Sequence, residues 1–206
     1  MPNPLSKSPA LPDGQRILES IVTTVNEDGT THIAPMGPLI DNAFQKVLLR
    51  PYSTSTTLAN LRRTRFGVMN ITDDVELMAR SAIGPLHPSP PLITTPDHKG
   101  ILLANTCRWY SFEVKAIDDR QQRVQIAAQV IQQGRLRDFF GFNRAKHAVI
   151  EAAILATRLH LRPRKEIQIE FEHLAIIVQK TGGEQERNAF RFLQEHVESV
   201  ESGLVE

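Results

Sequence analysis

Apolar and polar residues alternate in short runs through the first half of the chain, a pattern typical of β-strands. The β-branched run at 21–25 and the run at 30–35 flank the segment 26–29, which has the composition of a tight hairpin turn. The same reasoning predicts strands in segments 15–25, 30–35, 46–50, 65–71, 109–114 and 123–131, with a short helix after residue 57. The connections are too short for parallel crossovers, so the sheet is expected to be antiparallel.

The second half changes character and becomes rich in alanine. Residues 143–161 place Ile150, Ile154 and Leu159 close to helical spacing, and Pro163 ends the pattern. Residues 166–179 alternate at first and therefore predict a half-buried strand. Residues 184–200 predict a second helix, because Phe190, Leu193 and Val197 form one apolar stripe in that segment.

These elements predict a mainly β fold with added α-helices. We expect a six-stranded antiparallel barrel at 15–134, preceded by a leader at 1–14 and followed by an α-rich extension at 135–206 that contains one further strand. The segment 83–99 holds five prolines and no regular pattern, so it predicts a long surface loop or lid.

Composition narrows the classes of function. The chain of 206 residues carries 24 Lys and Arg against 23 Asp and Glu, which gives none of the positive excess that generic nucleic-acid binding requires. Cys107, the single cysteine, cannot form an internal disulfide, and the seven histidines lack zinc-motif spacing, so no metal site is expected. The chain shows neither a membrane-length apolar run nor the apolar core of a signal peptide, which predicts a cytoplasmic protein without a membrane segment.

The strongest candidate for chemistry lies at the end of the strand at 46–50. Arg50 precedes a run of hydroxyl residues at 53–57, and the predicted helix follows. A guanidinium, hydroxyls and the free N–H groups of a helix start suit a phosphate monoester. The alternative is a helix N-cap in a Ser/Thr-rich turn, and the residues alone leave both interpretations open.

A second candidate is the segment 32–37, where Pro35 and Gly37 interrupt a strand. Backbone groups freed there could bind the edge of a planar heterocycle, or the segment could simply end the strand. Cys107 could be a nucleophile or a packing residue, and Trp109 could stack on a ligand or lie in the core. A basic cluster surrounds residues 139–142 and could meet an anionic substrate or solvate a helix face; its members are Arg135, Arg137, Arg144 and Lys146.

Segments 56–61 and 66–71, together with Arg50 at a strand end and residues 34–37 after the first hairpin, resemble the FMN-binding split barrel of flavin reductases and pyridoxine-phosphate-oxidase-like proteins. Within that superfamily the chain is most similar to an archaeal and bacterial group with a domain of unknown function. That group has an Arg-Pro-x-Ser-like strand end, the step seen here from Asn60 to Thr64, and the segment seen here from Phe142 to His147.

The resemblance implies a homodimer with two FMN molecules near the subunit interface. Arg50 and a set of hydroxyls would hold the phosphate: Ser53, Thr54, Ser55 and Thr56. Asn60 would brace that loop. The isoalloxazine would face the backbone of three residues and two side chains: Pro35, Met36, Gly37, Asn70 and Thr72. Candidate substrate contacts are Trp109, Asn143, Arg144 and His147, with helix capping and surface solvation as the alternative for the last three.

The resemblance also implies an oxidoreductase that passes hydride from a reduced nicotinamide, or another donor, to a small acceptor. The flavin itself accepts and donates hydride, so no protein nucleophile is needed. Two alternatives remain: a non-catalytic FMN carrier or ligand sensor, and a binder of phosphorylated metabolites that uses the hydroxyl loop without flavin. The proline-rich segment 84–96 and the tail helices depart from a minimal split barrel and could cover the flavin, build a substrate pocket or serve dimerisation.

Overall fold

The computed structural model describes residues 14–120 and 123–201. The strands are β1 (Gln15–Ile17), β2 (Ser20–Val25), β3 (Thr31–Met36), β4 (Leu39–Asp41), β5 (Lys46–Leu49), β6 (Phe66–Ile71), β7 (Leu92–Thr94), β8 (Ile101–Leu103), β9 (Arg108–Asp118) and β10 (Gln125–Arg135). The α-helices are α1 (Thr56–Thr64), α2 (Val75–Ile83), α3 (Arg144–Ala156), α4 (Arg164–Thr181) and α5 (Glu184–Glu201). Of the predicted leader at 1–14, all but Gly14 lies outside the described residues.

The main sheet has eight strands in the order β1-β4-β5-β10-β9-β6-β2-β3, and its neighbours pair antiparallel throughout. The antiparallel prediction is confirmed, but the prediction of six strands is wrong by two. The segment 15–25 divides into β1 and β2 at Leu18 and Glu19, where the Leu18 N–H donates to the Pro38 carbonyl at 3.1 Å in the last contact of β1 with the β4 side of the sheet. Strand β4 is only three residues long, too short to show an alternation.

Two short links force this sheet to curl. Strand β3 lies at one edge and β4 lies next to the other edge, yet only Gly37 and Pro38 separate them. Strands β1 and β2 have the same relationship, with only Leu18 and Glu19 between them. Because consecutive Cα atoms are about 3.8 Å apart, each link holds the two edges within about 11 Å. The sheet therefore bends into a half-barrel.

The interior of the barrel is apolar and is closed at one end by α1. Tyr110, Phe112 and Val114 alternate inward along β9 and are buried with residues of the neighbouring strands. Leu58 and Leu61 of α1 belong to the same cluster. Because this helix is anchored by its apolar face, its N-terminus is held at the end of β5.

A second core lies among the helices. Helix α3 contributes small side chains, which allow close helix packing: Ala145, Ala148, Ala152, Ala153 and Ala156 are buried there. Helix α5 contributes the predicted stripe of Phe190, Leu193 and Val197, so that helix is confirmed. The predicted helix at 143–161 is also confirmed, as α3 and a short 3₁₀ turn.

The strand predicted at 166–179 is wrong, because this segment is α4. The alternation covers only a few residues, whereas Ile167, Phe171 and Val178 recur at helical spacing and are buried. Ile169, which fits only the strand pattern, is exposed. Packing against the helical core thus outweighs a short period-two pattern.

Helix α2 was not predicted, although its signals stand in the sequence. Asp74 caps it by accepting from the Leu77 N–H at 3.0 Å, and Glu76 pairs with Arg80 one turn later. Val75 and Ala79 place this helix in the helical core. The first part of the chain therefore contributes to that core as well.

The proline-rich segment is not a loop along its whole length. Strands β7 and β8 form a hairpin, and Thr95 and Gly100 exchange hydrogen bonds at its turn. Leu102 of β8 packs with Val68 and Trp109 on the outer face of the sheet. No helix in the described part of the chain is long and apolar enough to span a membrane.

Candidate functional site

The hydroxyl-rich loop joins β5 to the N-terminus of α1. Ser53, Thr54 and Thr56 are exposed there, and Ser55 is half-buried. Ser55 is the N-cap, because its Oγ accepts from the Leu58 N–H at 3.2 Å. Its O–H remains able to donate to a ligand, since a hydroxyl both accepts and donates. Capping and anion binding are therefore compatible at this residue.

The charges around this loop favour an anion. Helix α1, like α3, has no acidic residue in its first turn, whereas α2, α4 and α5 each have at least one. The first N–H groups of a helix lack intrahelical partners and carry the positive end of the helix dipole. Arg50, half-buried at the end of β5, adds a guanidinium. This donor set has the chemistry that a phosphate monoester requires.

A second guanidinium next to the loop was missed by the sequence analysis. The Arg123 guanidinium lies over the Tyr52 ring at 4.2 Å, and its Nη2 donates to the Tyr52 hydroxyl at 2.7 Å. Arg123 Nη1 also donates to the Arg50 carbonyl at 3.5 Å. Because about 70 residues separate these partners, only the pairing of β10 with β5 reveals the contact, and no local motif could.

Asn60 fixes α1 against the first hairpin. Its Nδ2 donates to Thr24 Oγ1 at 3.0 Å and to Asn26 Oδ1 at 2.8 Å, and the residue is buried. It therefore contacts the β2–β3 hairpin, and the structure records no hydrogen bond from this side chain to the described residues 50–56. A brace for the loop through the helix itself agrees with this position.

The two candidate segments meet at one end of the barrel. The register of β4 on β5 pairs Leu39 with Leu48, so Gly37 and Arg50 each lie two residues beyond that pair at the same end of the ladder. Pro35 and Met36 end edge strand β3, where the missing proline N–H is tolerated. The fold thus places the strand end at 35–37 at the same end of the barrel as the hydroxyl-rich loop.

Asn70 is more deeply placed than a surface contact would be. The residue is fully buried, and its Nδ2 contacts the Ile21 carbonyl at 3.0 Å and Thr23 Oγ1 at 3.1 Å, while its Oδ1 accepts from the Leu103 N–H at 2.9 Å. These bonds join β2, β6 and β8. Thr72, also buried, accepts from the Asp74 N–H at 3.1 Å just after β6.

Trp109 and Cys107 both lie in the protein interior. A methyl group added to Gly134 would lie 2.5 Å from Trp109 Nε1, so the indole rests directly on that glycine. Burial raises the pKa of the Cys107 thiol, and the negative charge of Asp73 raises it further. A buried thiol with a raised pKa is a poor nucleophile at neutral pH. The packing alternative accounts for the position of both residues.

The substrate candidates at the start of α3 divide into two groups. Asn143 is the N-cap, with its Oδ1 accepting from the Ala145 N–H at 2.8 Å and its Nδ2 donating to the Thr181 carbonyl at 3.1 Å. Arg144 and His147 are exposed on the helix. The Phe142 ring lies 5.9 Å from the His147 ring. The capping alternative is thus observed for Asn143, and the other two side chains remain accessible to a ligand.

Most of the predicted basic cluster is paired with carboxylates. Arg135 pairs with Asp138, Arg137 with Asp73, and Lys146 with Glu186. Arg137 and Lys146 are largely shielded in their pairs, whereas Arg135 is 60% exposed, so Arg135 and Arg144 are the accessible members. Among residues 14–120 and 123–201, no three His, Cys, Asp or Glu side chains stand close enough together to share a metal ion.

A hollow of about 560 Å³ lies between α2, the proline-rich segment and Phe192 of α5. Leu77, Ile83 and Leu86 give it apolar walls, and Arg80 lies 4.8 Å above the Phe192 ring at its side. None of the residues that line this hollow belongs to the hydroxyl-rich loop or to the strand end at 35–37.

Comparison with solved structures supports the fold. The chain is similar to an FMN-bound protein of family DUF447 from Methanosarcina mazei, with 24% identity, a TM-score of 0.73, and coverage of 87% of this chain and 94% of that chain. It is also similar to an FMN-binding protein from Thermus thermophilus with bound 1-cyclohex-2-enone, with 11% identity, a TM-score of 0.51, and coverage of 66% and 81%. The expected resemblance to FMN-binding barrels is confirmed for the fold. No curated protein sequence matches the chain.

The family models cover most of the chain. The N-terminal domain model of the family described as protein of unknown function (DUF447) matches residues 18–137, and a second DUF447 model matches residues 143–195. The first match alone spans more than half of the 206 residues. The chain therefore belongs to the DUF447 family.

Proposed function

We propose that this protein binds FMN, with the phosphate at the N-terminus of α1 and the isoalloxazine along the strand end at 35–37. The observation that carries the proposal is the acid-free helix start, which Arg50 and accessible hydroxyls precede at the same end of the β4–β5 ladder as Gly37. The FMN-bound relative of the same family, which shares the fold, supports the same ligand.

In this arrangement Arg50 neutralises the phosphate, and the loop hydroxyls and first-turn N–H groups complete its hydrogen bonds. Arg123 is expected to orient the loop through Tyr52. Asn60 holds α1 in place, and Asn70 fixes the strands beneath the ring instead of contacting it at the surface. FMN supplies the capacity to accept and release hydride when it is bound.

We further propose that the protein is an oxidoreductase that takes hydride from a reduced nicotinamide and delivers it to a small acceptor, in the cytoplasm. Residues 15–134 would form the cofactor-binding part, and residues 135–206 would form the helical extension. The exposed Arg144 and His147 are the expected contacts for the acceptor. A non-catalytic FMN carrier or sensor is the second candidate, because the same phosphate loop suffices for it.

We also propose that the protein is a homodimer. Phe140 and Phe142 are 90% and 91% exposed, and Phe139 next to them is 48% exposed. A contiguous exposed aromatic segment of this kind is typical of a surface that is covered by a partner. Analytical ultracentrifugation should give the mass of a dimer, and Phe140→Ser should shift it towards the monomer.

The test of the reaction begins with the visible spectrum of the purified protein, after addition of FMN if the preparation is colourless. Rapid bleaching of the bound flavin by NADH or NADPH under anaerobic conditions supports the oxidoreductase. FMN bound without reduction by either nicotinamide favours the carrier. If the folded protein does not bind FMN, the proposal fails and the hydroxyl-rich loop serves only as the N-cap of α1.

A further inference from the structure

Two buried oxygen atoms on the outer face of the barrel have no hydrogen-bond partner among the described residues: Ser111 Oγ and Gln132 Oε1. Ser111 is 0% exposed and stands between the inward-facing Tyr110 and Phe112 of β9, so its side chain points outward. Gln132 lies directly opposite it on β10. Opposed residues of an antiparallel pair share one side of the sheet, with Cβ atoms about 4.5–5.5 Å apart. The two oxygens therefore belong to one small polar cluster.

A β-bulge produces this pairing. In a regular ladder the residue after Val130, which is Ile131, would face Ser111. The register shift between Val130 and Gln132 leaves Ile131 unpaired and brings Gln132 opposite Ser111 instead. The extra residue thus gives the Ser111 hydroxyl a polar neighbour on β10 where an unbroken strand would place an isoleucine.

The other neighbours of the hydroxyl are apolar. Val68 faces Ser111 from β6, and it packs with Leu102 and Trp109 on the same outer face. These side chains exclude solvent from Ser111 and offer its hydroxyl no acceptor. A buried hydroxyl without a hydrogen bond is costly, because it loses its bonds to water and gains none in return. Ser111 and Gln132 therefore require a partner that reaches both of them.

A third polar group borders the same cluster. The shift in register also brings Gly134 opposite Trp109, and the Trp109 indole nitrogen rests against that glycine. Gly134 follows Gln132 by two residues and lies on the same face of β10. The indole N–H bonds to none of the described residues. All three side chains are uncharged, so the cluster favours a small neutral ligand that both donates and accepts hydrogen bonds.

We propose that a water molecule is bound between Ser111 Oγ and Gln132 Oε1 and joins β9 to β10 at the bulge. The water accepts from the Ser111 hydroxyl and donates to the Gln132 oxygen, and the Trp109 N–H is a further donor on this face. Buried waters typically make about three hydrogen bonds to groups that are otherwise unsatisfied. The bridge holds the shifted register, in which a glycine lies beneath the indole ring.

A high-resolution crystal structure of the wild type tests the site directly. We expect one ordered water within about 3.2 Å of both Ser111 Oγ and Gln132 Oε1. The double variant Ser111→Ala with Gln132→Met removes both polar groups with little change in shape, and its crystal structure should lack this water. A direct hydrogen bond between the two wild-type side chains, or no water between them, would overturn the proposal.

A double-mutant cycle measures the bridge in solution. Ser111→Ala and Gln132→Met should each lower the urea midpoint of unfolding, because each leaves the remaining polar group with an incomplete set of hydrogen bonds. The double variant should lower the midpoint by clearly less than the sum of the two single losses, since it removes both groups that need the water. Gln45→Met, at an exposed position, is the matched control, and its effect should add to that of Ser111→Ala.

The two measurements together decide the matter. An ordered water, combined with a double variant that falls short of the sum, supports the bridge. Additive losses for Ser111→Ala and Gln132→Met would overturn it even if a water is present in the crystal, because the two side chains would then share no partner. Neither measurement involves FMN, so the proposed function stands or falls separately.

Discussion

The Lys146 ammonium group lies 2.8 Å from the Glu186 carboxylate, at the junction between the barrel and the helices. Lys146 also donates to the Asp73 carbonyl at 2.7 Å and to Gln185 Oε1 at 3.1 Å, and Glu186 accepts from the Gly183 N–H at 2.7 Å. The two side chains are only 21% and 8% exposed. One ion pair thus joins α3, the start of α5 and the segment that links β6 to α2.

Removal of Lys146 should be costly for stability. Lys146→Met would leave the Glu186 carboxylate without its cation, and loss of one partner from a buried pair typically costs about 3–5 kcal/mol. The matched control is Arg162→Met, which breaks a more accessible pair with Glu166 and should cost less than about 1 kcal/mol. Urea denaturation measures both free energies of unfolding, and equal losses would contradict this account of the junction.

The Asp73–Arg137 pair should make stability depend on pH. The Arg137 guanidinium holds the pKa of Asp73 below its ordinary value, which is about 3.9 in an unfolded chain. Its contribution is therefore present above that unfolded pKa and is lost as pH falls through the lower folded pKa.

Asp73→Asn should accordingly destabilise the protein at pH 7, and the gap to the wild type should narrow in acid below about pH 4. Urea midpoints over a pH series measure this gap. Asp119→Asn, which removes the exposed partner of Arg62, is the control and should show a small loss at every pH. A gap for Asp73→Asn that stays constant into acid would contradict the role of this ion pair.

Cys107 should behave as a protected interior thiol. It is 1% exposed and its pKa is raised by burial, so the reactive thiolate is scarce and inaccessible. We expect iodoacetamide to modify it at least about 100-fold more slowly in the native protein than in urea. Cys107→Ser should leave FMN affinity within about twofold. Fast modification of the native protein would argue for a reactive role instead.

Gly134 should not tolerate a side chain. The Cβ of Gly134→Ala would lie 2.5 Å from Trp109 Nε1 and 2.7 Å from Cε2, so the indole or the strand must move. Overpacking of this kind costs about 1–3 kcal/mol. Because Trp109 is the single tryptophan, its emission spectrum should shift as well. Gly84→Ala, where nothing lies within 4 Å and the backbone is extended, should change neither quantity.

The barrel could largely be predicted because its strands carry their signal locally. The hairpin turn that ends at Gly29 and the strand at 66–71 follow from turn chemistry and β-branched residues. Strand β4 and the break between β1 and β2 could not be predicted, since a ladder contact between Leu18 and Pro38 defines them. The prediction of a strand at 166–179 was wrong because Ile169 extends an alternating pattern, whereas packing against the helical core stabilises a helix there.

The candidate site was predictable where one segment supplies it. Arg50 and the hydroxyls that follow stand within a few residues of one another, so their chemistry can be read directly. Arg123 could not be found in this way, because it reaches the site only through the closure of the barrel. For Asn70, the residue type does not distinguish a ligand contact from a buried brace, and only its hydrogen bonds do.

The proposed phosphate site lies in the loop after β5, and the substitution Arg50→Ala tests whether the guanidinium there binds the phosphate of FMN. Loss of a charge-assisted contact typically costs about 1.5–3 kcal/mol, which corresponds to about 10- to 150-fold in affinity. Arg62→Ala, which removes an exposed guanidinium of α1 paired with Asp119, is the control and should leave FMN affinity within about twofold.

The most direct measurement is a pair of fluorescence titrations of the wild type and Arg50→Ala, one with FMN and one with riboflavin, which lacks the phosphate. We expect one FMN per chain, at least tenfold weaker binding of riboflavin, and a loss of affinity in Arg50→Ala for FMN alone. Equal affinity for the two flavins, or an equal loss for both in the variant, would contradict a phosphate site at Arg50.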